Sequence, residues 1–250
     1  MTDITGSAHF TAPDVPIAEA AGDFYIARVF EGATSMLRQH FFTFFAIYVV
    51  IHLPIMLYDH WAVAPGGVVA GLVRMFSGTL GQAVICYGAY QHMCGRGVNL
   101  TESVQAFSRN AVPIVWLQVC VGILVTLASI ALVIPGLVLV TMWYVATPAC
   151  VIEKLGVGAS LRRSSELTKG HRWKVFGLLL TLVLAGALVG GVTVGLQHAV
   201  GGTTFKLLTD IIIMNGLLGT ISSVFTIAAY HDLRVAKEGP ELTRIATVFA

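Results

Sequence analysis

Apolar runs long enough to cross a membrane constrain the fold of this chain more than any other feature. A transmembrane helix needs about 20 predominantly apolar residues, and stretches such as 173–198 and 204–230 exceed that length. Hydrophobic residues make up 56% of the 250 residues and charged residues only 11%. The charged share of a soluble domain is roughly 25%, and no soluble interior of this size could hold so much apolar sequence. The sequence therefore predicts an all-α, polytopic integral membrane protein.

Six transmembrane helices are predicted, arranged as three hairpins. The predicted spans cover residues 41–58, 67–93, 111–133, 137–152, 173–198 and 204–230. Pro54 predicts a bend in the first span, because proline cannot donate the backbone hydrogen bond of a regular helix. An apolar turn at Ile134-Pro135-Gly136 is expected to lead into the fourth span, which is short and has Pro148 near its end.

The distribution of basic residues predicts how these helices are oriented. Of the 15 Lys and Arg residues, all but Arg74 and Lys206 fall in or beside alternate loops, on one predicted side of the membrane. Loops that carry an excess of Lys and Arg stay on the cytoplasmic side. Both termini are therefore predicted to be cytoplasmic.

The predicted domain organisation is a disordered cytoplasmic tail, a membrane domain and a short cytoplasmic tail, at 1–22, 23–235 and 236–250. The N-terminal tail contains no Lys or Arg and no apolar core, so it lacks the features of a cleaved signal peptide. Apolar residues then recur at helical spacing, as at Val29, Ala33 and Met36. Residues 24–38 are therefore predicted to form an amphipathic helix along the membrane surface.

A weak internal repeat is visible at the cytoplasmic start of the odd-numbered spans. Arg38, Arg109 and Lys169 each follow an apolar residue by two positions and precede an aromatic residue by seven. One interpretation is three parallel units, each an amphipathic segment followed by a helical hairpin, since parallel repeats occur in transporter folds. The alternative is that the start of any membrane helix favours a basic residue followed by an aromatic one.

Two blocks of sequence carry a family resemblance. The first block contains Ile134-Pro135-Gly136, Pro148, Glu153, Ser160-Leu161-Arg162-Arg163-Ser164, Glu166-Leu167 and Gly170-His171-Arg172-Trp173. The second block contains Tyr230-His231-Asp232-Leu233-Arg234 and Lys237-Glu238-Gly239. Over roughly residues 24–240, the chain resembles the glycerophosphoryl diester phosphodiesterase membrane-domain family.

The resemblance implies a polytopic domain of the bacterial inner membrane, of a kind sometimes fused to a phosphodiesterase. It does not imply catalysis by the membrane domain itself. Such phosphodiesterases use a barrel of about 200 or more residues, in which histidines and carboxylates hold a divalent metal. This chain has no soluble segment of that length, and no carboxylate cluster follows its His171-Arg172 pair. No catalytic residue, metal site or cofactor is therefore predicted.

The basic segment 154–174 is the predicted contact site for lipid or a partner protein. Juxtamembrane Lys and Arg are attracted to anionic headgroups, and the hydroxyls of Ser160, Ser164, Ser165 and Thr168 can add hydrogen bonds to phosphates. The alternative is that the charge only orients the chain. The candidate residues for binding anionic phospholipid or another membrane protein are Arg162, Arg163, Lys169, Arg172 and Lys174.

Glu153, Asp232 and Arg234 form a predicted cluster of charges at the cytoplasmic boundary. Asp232 and Arg234 flank the end of the sixth span, and Glu153 closes the fourth. Asp232 is predicted to pair with Arg162 or Arg163, which would join the two blocks of the resemblance. The alternative is that these residues are solvated separately.

Arg74 and Asp210 are predicted to form an ion pair inside the membrane. They are the only Arg, Lys, Asp or Glu residues well inside the predicted spans, and they lie at a similar depth. An unpaired charge at that depth is costly, which favours pairing. The pair would lock the second span to the sixth or, alternatively, coordinate a solute.

Two further patterns favour structural roles. The glycine pairs 186/190 and 191/195 have the spacing that lets membrane helices approach closely, so they are predicted to pack against neighbouring helices. Four histidines near the cytoplasmic face match no ligand motif, and no haem or metal is expected at His40, His92, His171 and His231.

Three classes of function are compatible with the sequence. The basic segment favours a non-catalytic membrane module that binds anionic lipid or another membrane protein. The internal repeat and the Arg74–Asp210 pair would suit a small-solute transporter or channel, although the spans contain few polar residues. The third class is an accessory subunit of a lipid-modifying or glycerophosphodiester-hydrolysing enzyme. The net charge of +2 favours no nucleic-acid partner.

Overall fold

The computed structural model describes residues 23–61, 68–93 and 100–248, and of Arg74 it describes the backbone only. The described residues form helices and contain no β-strand. The helices are α1 Ile26–Trp61, α2 Val68–Met93, α3 Leu100–Ala131, α4 Val133–Trp143, α5 Ala146–Glu153, α6 Val157–Thr168, α7 Arg172–Val200, α8 Thr203–Thr209, a π-helical segment Asp210–Leu217 and α9 Leu218–Val248.

Among the described residues, five helical segments are long and apolar enough to cross a membrane. They are Ile26–Tyr58, Ala111–Ala131, Val133–Glu153, Arg172–Val200 and Thr203–Gly239. The predicted second span, 67–93, coincides with the 26-residue helix α2, but part of its side chains lies outside the described residues. The described residues therefore form an all-helical structure with five membrane-compatible segments, while the second predicted span, and with it the total of six, stays a prediction.

Helix α1 contains a break at the position where the sequence predicts a change from a surface helix to a membrane span. His40 has non-helical backbone angles (φ −128°, ψ 16°), and the helix continues through Pro54, where a bend was expected. Before the break, Val29, Ala33 and Met36 are buried in the protein core. Protein therefore covers the apolar side of this segment, while its position along the membrane surface stays a prediction.

A single residue, Leu132, connects α3 to α4. Its extended backbone (φ −162°, ψ 134°) precedes a helix that begins at Val133. The predicted turn at 134–136 therefore lies inside the first turn of α4. Backbone N–H groups in a first turn have no acceptor within the helix, so a proline at position 135 costs no hydrogen bond. A Cβ atom at Gly136 would collide with the Ser129 side chain, so glycine permits the close approach of α3 and α4.

The predicted fourth span is two helices rather than one. Residues Tyr144 and Val145 form a turn between α4 and α5, and Pro148 lies in the first turn of α5. The proline ring clashes with the carbonyl four residues earlier in a continuous helix, and that carbonyl belongs to Tyr144. The break therefore lies where the proline requires it.

The predicted sixth span is continuous with a long C-terminal helix. Between α8 and α9, residues Asp210–Leu217 are π-helical, and Asn215 Nδ2 donates a hydrogen bond to the carbonyl of Asp210 at 2.8 Å. A Cβ atom at Gly216 would lie 2.7 Å from Phe45, so this segment packs closely on α1. Helix α9 runs to Val248 and includes most of the predicted tail at 236–250.

The last span forms the centre of the protein, whereas α7 lies at its periphery. Half of the apolar window in Thr203–Gly239 is buried, against 11% in Arg172–Val200. Helix α9 packs against α1 and α2, and Tyr230 and Leu233 are fully buried in the larger core. A second core joins α2, α3 and α5 around Ile114 and Cys150.

The glycines of α7 do not pack as predicted. A Cβ atom added at Gly186, Gly191 or Gly195 would meet no heavy atom within 4 Å among the described residues. Only Gly190 has a close neighbour in that part of the chain, Met214 Cε at 3.3 Å. The expected close packing is therefore wrong for Gly186, Gly191 and Gly195, since α7 turns most of its surface away from the other described helices.

Candidate functional site

Helix α6 carries the first part of the basic segment, and its buried residues are three hydroxyl side chains and Leu167. Ser160, Ser164 and Thr168, spaced four residues apart, are completely buried and share one side of the helix. Ser164 Oγ donates to the carbonyl of Met142 at 2.8 Å, beside the break between α4 and α5. Thr168 Oγ1 donates to the carbonyl of Ser164 at 2.9 Å, and Ser160 Oγ to that of Gly156 at 2.9 Å.

These contacts correct the expectation that the hydroxyls bind headgroup phosphates. A buried hydroxyl that already donates to a carbonyl is closed to a ligand. Of the four predicted residues, Ser165 alone is partly exposed, while Ser160, Ser164 and Thr168 hold α6 against the protein. The residue types were right for hydrogen bonding, but the helix turns three of them inward.

The two neighbouring arginines of α6 have different environments. The side chain of Arg162 is 78% exposed, whereas that of Arg163 is 24% exposed. Successive residues of an α-helix point about 100° apart, so Arg163 turns toward the protein. Arg162 has a single carboxylate within 4.0 Å among the described residues, that of Glu166 at 3.8 Å.

Arg163 is the centre of a partly buried network that we call the Arg163 cluster, made of Glu153, Arg163, Tyr230, Arg234 and Glu238. Arg163 Nε donates to both oxygens of Glu153, at 2.9 and 3.0 Å, and Arg163 Nη2 donates to Glu238. Tyr230 Oη donates to Glu153 Oε1 at 2.7 Å, and Arg234 Nε donates to Glu238 Oε2 at 2.7 Å.

The Arg163 cluster joins α5, α6 and α9, and its charges are largely compensated within it. Burial opposes the charged form of Arg163, but the hydrogen bonds to Glu238 and Glu153 outweigh it and raise the pKa of the guanidinium above its usual value. Two of the predicted boundary residues, Glu153 and Arg234, belong to this cluster. The two blocks of the family resemblance are thus connected, through Arg163–Glu238 and Glu153–Tyr230.

Asp232 pairs with Arg28 of α1, and the predicted pairing with Arg162 or Arg163 is wrong. Asp232 Oδ1 lies 2.9 Å from Arg28 Nε, and Asp232 Oδ2 accepts a hydrogen bond from the backbone N–H of Tyr25 at 3.2 Å. Helical spacing explains the different partner. Tyr230, Arg234 and Glu238 recur every four residues on the face toward α5 and α6, so Asp232, two residues away, faces α1.

Lys174 is also occupied, by a group that we call the Asp23 cluster, made of Asp23, His171 and Lys174. Lys174 Nζ donates to Asp23 Oδ1 at 2.8 Å and to the carbonyl of Phe24 at 3.0 Å, and it lies 5.2 Å from the centre of the Tyr25 ring. His171 Nε2 lies 3.5 Å from Asp23 Oδ1. The hydrogen bond from Lys174 lowers the pKa of Asp23 below its usual value.

The surroundings of His171 disfavour its charged form. Burial lowers the pKa of His171, and the positive charges of Lys174 and Lys237 lower it further, although Asp23 opposes both effects. Phe24, next to Asp23, is fully buried in the larger core. The backbone before α1 is thereby anchored, while the Asp23 carboxylate remains 53% exposed.

The remaining predicted cations form an exposed basic surface, made of Arg162, Lys169 and Arg172. All three side chains are exposed, and in the part of the chain that the structure describes Lys169 and Arg172 have no carboxylate partner. Trp173, directly after Arg172, is 85% exposed. An exposed tryptophan beside cations is typical of a membrane–water interface, where the ring lies at headgroup level. Exposed Lys and Arg side chains of this kind have hydrogen-bond donors available for an anionic group.

The predicted Arg74–Asp210 pair stays a prediction, because the Arg74 side chain lies outside the described residues. Asp210 Oδ1 accepts a hydrogen bond from Gln197 Nε2 at 2.9 Å, and the same nitrogen donates to Thr209 Oγ1 at 2.6 Å. These contacts tie the end of α7 to the beginning of the π-helical segment. Across the described residues, no group of three or more His, Cys, Asp or Glu side chains is placed to hold a metal ion.

Sequence reasoning missed four residues of this site: Asp23, Arg28, Tyr230 and Glu238. The spacing of Tyr230, Arg234 and Glu238 could have indicated a shared polar face in α9, since residues four apart lie one above the other. For Asp23 and Arg28 the sequence carries no such signal, because their partners are 151 and 204 residues away along the chain.

Comparisons with protein-family profiles, with curated proteins and with solved structures find no match for this chain.

Proposed function

We propose that this chain is a non-catalytic membrane module that binds anionic phospholipid headgroups through its exposed basic surface. The observation that carries the proposal is the division of the basic segment. Arg163 and Lys174 have close carboxylate partners, whereas Arg162, Lys169 and Arg172 are exposed, and Arg162 has only the exposed Glu166 at 3.8 Å among the described residues. Cations that only packed the helices together would be expected to have close partners within the protein.

The proposed topology has six spans, namely the five candidate spans and α2. Both termini lie on the cytoplasmic side of a bacterial inner membrane. The excess of Lys and Arg in alternate loops supports this orientation. It brings Arg162, Lys169 and Arg172 to the leaflet where anionic lipids attract basic residues. The two sequence blocks support a relationship to the glycerophosphoryl diester phosphodiesterase membrane-domain family, in which the membrane domain acts without the hydrolytic barrel.

Lipid retention by the purified, full-length protein tests the proposed function. The protein in detergent is given equal amounts of phosphatidylglycerol and phosphatidylcholine, and native mass spectrometry measures the ratio of the two bound lipids. Each juxtamembrane cation contributes about 1 kcal/mol of attraction, which corresponds to roughly fivefold in binding. The triple variant R162Q/K169Q/R172Q is expected to lose most of the preference for phosphatidylglycerol, and R172Q alone about fivefold.

K206Q is the matched control, because Lys206 is an exposed cation of α8. In the proposed topology α8 lies at the outer end of the last span, away from the basic surface. This variant is expected to keep the wild-type ratio of bound lipids. A triple variant that retains the wild-type preference, or a wild-type protein without any preference, would contradict the proposed function.

Solute transport is the second candidate, and the structure offers one observation in its favour. The π-helical segment that begins at Asp210 interrupts a candidate span, and π-helical turns frequently occur at functional sites. A solute path would also need polar walls. The groove of Phe76, Ala111, Val112, Val115 and Trp116 is lined by apolar side chains, which suits a lipid chain and not a polar solute. We therefore favour lipid binding.

A further inference from the structure

We propose that the Asp23 carboxylate competes with lipid headgroups for Lys174, so that Lys174 is a headgroup-phosphate subsite held closed by the protein's own anion. The inference rests on the proposed function and adds a means of regulating the same basic surface. It concerns Asp23, a carboxylate outside the basic segment that none of the predicted roles includes.

Lys174 is surrounded by groups that satisfy an ammonium ion without burying it. It donates to the Asp23 carboxylate and to the Phe24 carbonyl, and the Tyr25 ring lies on another side. Asp23 contributes the full negative charge at this position. A lipid phosphodiester is also a monoanion with hydrogen-bond acceptors, so it can replace the carboxylate without changing the charge around Lys174.

The Asp23–Lys174 pair is open to exchange because both side chains face solvent. Asp23 is 53% exposed and Lys174 is 42% exposed, and exposed ion pairs contribute little to stability. Partners in the Arg163 cluster are less exposed, and each of its carboxylates accepts hydrogen bonds from two residues. The carboxylate of Asp23 is therefore the more readily displaced.

Lys174 also lies where a bound headgroup would be expected. It is in the first turn of α7, two residues after Arg172 of the exposed basic surface and directly after Trp173. Other positive groups close to this position are Arg28, whose Nη2 donates to the carbonyl of Asp23, and Lys237, which is close enough to influence His171. Arg28 keeps its ion pair with Asp232 when the Asp23 carboxylate withdraws, whereas Lys174 then has no carboxylate partner among the described residues.

The D23N variant tests the inference with the same lipid mixture and native mass spectrometry. Removal of the competing charge frees one cation, so the ratio of bound phosphatidylglycerol to phosphatidylcholine is expected to rise about fivefold. K174Q alone is expected to change this ratio less than twofold, because Asp23 already neutralises Lys174. In the D23N/K174Q double variant the gain should disappear, and D23E should restore the wild-type ratio by returning the carboxylate.

E31Q is the matched control for the loss of a negative charge. Glu31 is an exposed carboxylate of α1 that has no ion pair among the described residues and belongs to neither cluster. If E31Q raises the preference as much as D23N, or if the gain of D23N persists in the K174Q background, competition for Lys174 is refuted. A D23N variant with the wild-type ratio refutes it too.

The two proposals fail in distinguishable ways. Loss of the preference in R162Q/K169Q/R172Q together with equal effects of D23N and E31Q would leave lipid binding intact and reject the role of Asp23. Absence of any preference for phosphatidylglycerol in the wild-type protein and in D23N would reject both. Thermal unfolding of each variant in detergent shows whether Phe24 and its neighbours remain anchored.

Discussion

The Arg163 cluster and the Asp23 cluster each pair a cation of the basic segment with carboxylates from elsewhere in the chain. They differ in exposure and in the number of helices that they join. Arg163 is 24% exposed and joins three helices through two carboxylates, whereas Asp23 is 53% exposed and has one short ion pair, to Lys174. The comparison shows that the face of a helix on which a cation lies decides whether it stabilises the fold or remains open to a ligand. Arg162 and Arg163, adjacent in α6, show the same division.

Substitution of Arg163 is expected to have the largest effect on stability. R163Q would leave Glu153 and Glu238 partly buried without their shared cation, and loss of one partner from such a network costs about 2 kcal/mol at this level of burial. Thermal unfolding in detergent, followed by circular dichroism, measures the change. The matched control is R162Q, which removes the same charge from an exposed position and is expected to change stability by less than about 0.5 kcal/mol.

Equal thermal stability of R163Q and R162Q would remove the basis of the comparison. It would mean that the Arg163 cluster contributes no more than a surface pair, and that both arginines are available to lipid. The lipid-binding ratio gives the complementary readout, because R162Q should lower it and R163Q should lower it only through loss of folded protein.

The hydroxyl face of α6 provides a smaller effect that separates the structural side of the helix from its exposed side. S164A removes the hydrogen bond to the Met142 carbonyl and is expected to cost about 1 kcal/mol. The Thr168 hydroxyl lies 3.4 Å from that carbonyl, but its single hydrogen is donated to the carbonyl of residue 164. S165A, at the neighbouring and partly exposed position, is expected to be nearly neutral in the same unfolding measurement. If S165A were the more destabilising variant, the orientation of α6 would be incorrect.

The smallest expected effect concerns the pH dependence of the Asp23 cluster. The pKa of His171 is lowered in the folded protein by burial and by Lys174 and Lys237, so below the ordinary histidine pKa of about 6.5 the unfolded chain binds more protons. The contribution of this group to stability is present above that pH and is lost as the pH falls through the lowered pKa.

Thermal unfolding at pH 7.5 and at pH 5 checks this expectation. The wild-type protein should lose more stability between the two conditions than H171Q, with a difference smaller than the effect of S164A. Asp23 acts in the same direction only at lower pH, because its lowered pKa lies below the usual range of a carboxyl group. Identical pH profiles of the two proteins would show that His171 is not perturbed by its neighbours.

Much of the fold follows from local patterns that can be read along the chain. The long apolar runs predict the membrane-compatible helices, because burial of about 20 apolar residues in lipid needs no tertiary partner. The change at His40 between the amphipathic and the apolar part of α1 was expected from the switch in periodicity. Pro148 was placed near the end of a single fourth span, and the division into α4 and α5 was not predicted, although the effect of a proline reaches back to the carbonyl four residues earlier.

The candidate site divides in the same way. The distribution of Lys and Arg along the chain identified the basic segment 154–174, including Arg162, Lys169 and Arg172. The occupation of Lys174 by Asp23 and of Asp232 by Arg28 could not be predicted, because each pair joins residues more than 150 positions apart. The sequence by itself determined a membrane-spanning helical chain with one basic end. Which of its cations stay exposed was decided by the tertiary structure, since helix packing turns each side chain toward a carboxylate or away from one.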